Sequence, residues 1–152
     1  MKRIVQMILL GLGTLLPVCA AESSISPEHQ VILKGDWTPT KEQTEKALAA
    51  AITLVRQTAA QPAGTSPGEK YQRECAGKIA EGMAKYAVQF IGQTRNGKKF
   101  IHCSFFPGDY LQDVPYWKDQ EVMVDDGGYS FWQVDYDPET GKCGKLRING
   151  MG

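Results

Sequence analysis

The chain is poor in the residues from which most catalytic and metal sites are built. It has two histidines in 152 residues, and none of its four cysteines has another within three positions. Without a Cys-x-x-Cys pair there is no thioredoxin-like redox motif and no zinc knuckle. His29 and His102 cannot supply the i, i+4 pair of a helical zinc site, and no metal or cofactor is implied. An excess of either charge is missing too: 17 Lys and Arg balance 17 Asp and Glu. That balance removes any compositional argument for a nucleic-acid partner, which needs clustered cations to neutralise phosphates. Beyond residue 16 no apolar run approaches the ~20 residues that a membrane-spanning helix requires. What is left is an ordinary globular mix, 42% hydrophobic and 22% charged, of a length that suits one domain.

The first 21 residues read as a secretory signal peptide. Lys2 and Arg3 form a basic start, Ile4 to Leu16 an apolar stretch, and Val18-Cys19-Ala20-Ala21 a small-residue cleavage region. Cleavage after Ala20 or Ala21 leaves a mature chain of net charge −2 in the periplasm or secreted, with no transmembrane segment. The competing reading is a lipoprotein acylated at Cys19. Leu16-Pro17-Val18-Cys19, however, puts proline and valine where a lipobox has small residues. Export favours disulfides, and the mature chain keeps Cys75, Cys103 and Cys143. Cys103 and Cys143 fall on strands that a simple meander separates by one other strand, roughly 9–10 Å apart. A disulfide needs Cα atoms within about 7 Å, so the expected bridge joins Cys75 to Cys143 or Cys103.

Residues 22–36 form an N-terminal segment with a short strand at Val31-Ile32-Leu33, and 37–152 a single α+β domain. The first helix follows Thr38-Pro39, or a capping box of Thr40 and Gln43, and runs to about Ala60. Ala47, Leu48, Ala51, Leu54 and Val55 recur along it at helical spacing. Residues 61–68, rich in proline and glycine, are a loop. Over 69–84, Gly77 and Gly82 weaken a helix that Ala76, Ile79 and Met83 support, and the segment stays ambiguous. From Tyr86 the period is two. Asn96-Gly97 marks a type I′ hairpin whose return strand is Lys99 to Phe106. Asp125-Asp126-Gly127-Gly128 suggests a second hairpin joining Glu121–Val124 to Tyr129–Tyr136, and 137–141 a third, leading to a last strand over 142–149. Twelve of the fourteen aromatics lie between residues 86 and 136, which places the large side chains on this sheet. One main helix packed on an antiparallel meander is the expected architecture.

From Lys85 onward the chain carries Tyr86, Gln89-Phe90-Ile91-Gly92, Asn96-Gly97-Lys98-Lys99, Trp117, Val124-Asp125-Asp126-Gly127-Gly128, Phe131 and Ile148-Asn149-Gly150. In these residues it resembles a family of small exported bacterial proteins of unknown function. The order of elements also looks like the cystatin fold. Gln89-Phe90-Ile91-Gly92 is one residue short of the cystatin Gln-x-Val-x-Gly hairpin, and Pro115-Tyr116-Trp117 inserts a tyrosine into its Pro-Trp loop. The resemblance therefore implies an architecture, without protease inhibition.

No nucleophile and base are placed together. His102 and Cys103 are neighbours on a strand and point to opposite faces. Asp109 with Asp113, and Asp125 with Asp126, are the carboxylate pairs from which a small hydrolase could be built. The second pair is better explained by the needs of a tight turn. Residues 107–119 form a long connection carrying Tyr110, Tyr116 and Trp117, the candidate binding residues. Those aromatics either cover the sheet or present an amphipathic surface. The expected function is non-catalytic: binding a protein or envelope component through the concave sheet face or this loop.

Overall fold

A computed structural model describes residues 24–62 and 64–150; the signal peptide over 1–21 and the lipidation alternative at Cys19 lie outside the described residues. The fold is α+β. Two helices, α1 (Lys41–Ala60) and α2 (Pro67–Glu81), pack on one face of a six-stranded sheet. The strands are β1 (Gln30–Leu33), β2 (Tyr86–Arg95), β3 (Lys98–Pro107), β4 (Trp132–Asp137), β5 (Lys142–Cys143) and β6 (Arg147–Ile148). They lie in the order β1-β2-β3-β4-β5, with β6 also on β4.

Helix α1 starts at the expected capping box: Gln43 N donates to Thr40 Oγ1 (3.2 Å) and Thr40 N to Gln43 Oε1 (2.9 Å). It buries Thr44, Ala47, Leu48, Ala51 and Val55. The ambiguous segment is a second helix, so the single-helix expectation is corrected. A Ser66/Glu69 capping box and Pro67 in the first turn open α2, and Gly82 falls just past its end, at the cap. Gly77 faces open space, so its helical cost is not compounded by a packing defect. Cys75, Ala76 and Ile79 supply the buried side of α2.

The Asn96-Gly97 hairpin forms as expected, with φ of 52° and 76° at the two turn residues. Strand β1 is parallel to β2, pairing Gln30 with Val88 and Leu33 with Ile91. The sheet is therefore mostly antiparallel but not a pure meander. The last strand is broken: Gly144 N bonds Asp135 O, Leu146 turns into the core, and β6 returns to β4 opposite Trp132 and Gln133.

Glu121–Val124 is not a strand, which corrects the second hairpin. The segment carrying Val114, Trp117 and Val122 instead lies over the sheet face away from the helices, as a cover, and its end at Gly128–Ser130 reaches α2. The reason is Gln89, fully buried at the middle of that face. Its Nε2 donates to the carbonyls of Trp117 and Gln120, and its Oε1 accepts from Val122 N (2.8 Å). An amide buried there needs backbone partners, and an irregular segment supplies them better than a strand whose groups are already paired. The helix side of the core is built on Val88, Phe90, Ile101, Phe105, Trp132 and Val134, with Phe105 and Trp132 stacked at 3.6 Å. A smaller second core of Ala87, Phe106, Val114, Trp117 and Val122 lies under the cover.

Candidate functional site

The cover segment decides the fate of the candidate aromatics. Trp117 is 6% exposed and meets Phe106 edge to face, with ring centroids 6.2 Å apart. Tyr110 is half-buried, edge-on to Phe131 at 5.6 Å. Only Tyr116, 43% exposed, stands in solvent. The aromatics thus fold back over the sheet, and neither face of the sheet is left as an open concave surface.

The motif residues that carried the family resemblance meet at structural joints. Asn149 Nδ2 donates to the carbonyls of Val124 and Asp126, Asn149 N to Phe131 O, and Gly128 N to Gly150 O. The Asp-Asp-Gly-Gly block and the Ile-Asn-Gly ending therefore close one corner of the cover. Gly92 is required by a close approach: a Cβ there would lie 2.1 Å from the carbonyl oxygen of Trp37.

Among the described residues three thiols are free. Cys103 on β3 and Cys143 on β5 are separated by β4, as the meander implied, and they do not bond. The bridge expected from Cys75 is absent as well, a correction. Cys75 sits on the buried side of α2, at interaction distance from the phenols of Tyr71 and Tyr86, in the helix layer rather than on the sheet that carries the other two thiols. Burial pushes the Cys103 thiol well up and Cys143 up to about 11, so neither is a ready nucleophile.

A polar network that the sequence reading missed lies on the cover side of the sheet. His102 Nδ1 donates to Asp135 Oδ1 (2.8 Å) and Nε2 to Glu121 Oε1 (3.1 Å). Asp135 also receives Arg95 Nη2 at 2.7 Å, and Arg147 through Nη1 and Nη2 at 3.1 Å each. His102 and Asp135 are opposite one another in the β3–β4 register, and Glu121 comes down from the cover. Both ring nitrogens face carboxylates, which only accept, an arrangement that favours the protonated ring. Burial would lower the His102 pKa, but the bonds to Asp135 and Glu121 outweigh it and the net shift is upward. With both nitrogens occupied and Cys103 on the opposite face, this is a clamp between sheet and cover and not a general base. A raised folded pKa stabilises fully below the unfolded value near 6.5 and loses that contribution as pH rises through the folded value. Wild type should therefore exceed His102→Gln in stability most at about pH 5.5 and least at about pH 8.5, read from urea midpoints at both. A gap that widens with pH would overturn the clamp.

The hydrolase carboxylates do not assemble. Asp109, Asp113, Asp125 and Asp126 are all exposed, and of the four only Asp109 reaches the cleft described next. Among the described residues no group of three or more His, Cys, Asp or Glu could hold a metal ion, and no helix is long and apolar enough to cross a membrane.

An open cleft of about 870 Å³ lies where the end of α2 meets the start of β2, the end of β3 and the turn at Tyr129. Its walls include Lys78, Glu81, Lys85, Tyr86, Asp109 and Tyr129. Tyr86 Oη donates to Tyr129 O (2.7 Å), fixing the turn, and the Lys78 ammonium lies 4.9 Å from the centre of the Tyr129 ring. Burial pushes the Tyr86 phenol well up, so it stays a donor. The walls come from segments as far apart as residues 29 and 130, and the tertiary fold brings them together. No protein-family model, curated protein or solved structure matches the chain.

Proposed function

We propose that the mature chain works outside the cytoplasm, in the periplasm or after secretion, as a non-catalytic module that binds a protein or envelope component through the cleft at Tyr86 and Tyr129. The supporting observation is the cleft itself: an open cavity of about 870 Å³ with a fixed aromatic wall and charged rim, in a molecule whose two sheet faces are covered. Its size falls within the range of roughly 300–1,000 Å³ common to ligand sites. Hydrolysis by paired carboxylates is the weaker reading. Glu81 and Asp109 are the acidic residues of the cleft and both are exposed, whereas a general acid needs a desolvated carboxyl.

Three measurements test this. The intact mass of protein recovered from producing cells should place the first residue at Ala21 or Glu22; a diacylglycerol-modified Cys19 or a retained Met1 contradicts export by signal-peptide cleavage. Isotope-labelled mature protein titrated with fractionated envelope extract should show amide shifts grouped on Lys78, Tyr86, Gly108 and Tyr129. Shifts grouped on Tyr116 and Met123 would move the site to the cover. Turnover of nitrophenyl ester or glycoside probes that disappears in Asp109→Asn would replace binding by hydrolysis.

A further inference from the structure

The charges around the cleft are balanced. Lys78 and Lys85 supply two cations, Glu81 and Asp109 two carboxylates. Lys78 lies against the Tyr129 ring, while Glu81, Lys85 and Asp109 form no ion pair among the described residues. Elsewhere on the surface comparable side chains do find partners, as Lys46 does with Glu42 at 2.7 Å. A purely anionic ligand would meet two carboxylates here, and a purely cationic one two ammonium groups. A ligand with one charge of each sign can be oriented so that each meets its opposite, the arrangement by which electrostatic complementarity sets register and excludes wrong partners.

The walls between these charges are suited to an apolar body. Tyr129 is 39% exposed, its carbonyl is held by the Tyr86 hydroxyl and its ring lies against the Lys78 ammonium, so an aromatic face is offered to the cleft from a fixed backbone. Pro107 and Gly108 continue the wall, and Gly108 lets the His29 ring approach closely: a Cβ there would lie 3.1 Å from it. His29 Nδ1 is buried with no hydrogen-bond partner, an additional polar group beside the cleft. The volume is more than a single amino acid fills, and the cavity is open, so chain can continue out of it. We infer that the cleft recognises a short peptide through its two opposite charges, the peptide's ammonium going to Glu81 and Asp109 and its carboxylate to Lys78 and Lys85, with an apolar side chain on Tyr129. The inference rests on the cleft being the binding site.

The probe is the tripeptide Ala-Phe-Ala with free ends, compared with its N-acetylated, C-amidated and doubly blocked forms. Each is titrated into labelled mature protein while amide shifts are followed. The free peptide should shift Lys78, Tyr86, Gly108 and Tyr129. Blocking either end should weaken binding by about two- to fivefold, the scale of one exposed ion pair. The acetylated form should lose its sensitivity to the double substitution Glu81→Gln with Asp109→Asn, and the amidated form its sensitivity to Lys85→Met. These positions are exposed, and an unchanged far-UV spectrum checks that each variant folds. If all four forms bind the cleft equally, recognition of opposite charges is wrong while the cleft remains the site. If none binds but envelope extract still shifts the cleft residues, the ligand is not a short peptide. If neither peptides nor extract touch the cleft, both readings fall.

Discussion

Trp117→Ala should lower the stability of the folded chain by about 3–5 kcal/mol, the cost of truncating a large aromatic in a core. Trp117 is the largest side chain of the core beneath the cover, with Phe106, Val114 and Val122 around it. Its carbonyl is also one of the partners that satisfy the buried amide of Gln89, so a cavity there loosens a hydrogen bond as well as a packing contact. Urea denaturation of the variant beside wild type checks the value. A change below about 1 kcal/mol, the scale of surface substitutions, would mean that the ring is not buried and would return it to the list of binding anchors. The larger loss leaves Tyr116 as the exposed aromatic of that loop.

Asp135→Ala should cost about 3 kcal/mol. Its carboxylate receives His102, Arg95 and two bonds from Arg147, and removing it leaves three cationic groups facing one another. The value lies at the lower end for a broken buried network because Arg95 and Arg147 are half-exposed and can turn to water. Burial alone would raise the Asp135 pKa, but the bonds from His102, Arg147 and Arg95 hold it far below the usual carboxylate range. A folded value that is depressed stabilises above the unfolded value near 3.8, and the contribution disappears as pH falls through the folded value. The gap between wild type and Asp135→Ala should therefore shrink on acidification below about pH 4, whereas the His102 gap shrinks on the alkaline side. A double-mutant cycle with Arg147→Ala should return a coupling of more than about 0.5 kcal/mol; additivity would mean that the guanidinium contributes nothing to holding the carboxylate.

The parts of the fold that were legible in the sequence share one property: their cause is local. Thr40 and Gln43 mark the start of α1 because a capping box closes within four residues, and Asn96-Gly97 marks its hairpin because two adjacent residues must both take positive φ. Helix α2 was obscured by Gly77 and Gly82, whose harmlessness depends on where they stand: one on the open side, the other past the end. Glu121–Val124 looked like a strand because the turn residues Asp125-Asp126-Gly127-Gly128 follow it, but in space its backbone neighbours are the side chains of Gln89 and Asn149. A side-chain partner 25 or more residues away leaves no trace in a local pattern.

The chemistry divides in the same way. By itself the sequence determined that histidine is scarce, that no cysteine motif exists, that charge is balanced and that His102 and Cys103 cannot cooperate, because composition and the alternation of a strand require nothing from the rest of the chain. Only the tertiary structure decided that Trp117 is core, that His102 is saturated by two carboxylates, and that Lys78, Glu81, Asp109 and Tyr129 border one cleft. Those outcomes depend on segments distant in sequence meeting in space. Pairing Tyr86 with Pro107 sets the start of β2 beside the end of β3, and a shift of one residue in that register would turn His102 to the other face of the sheet.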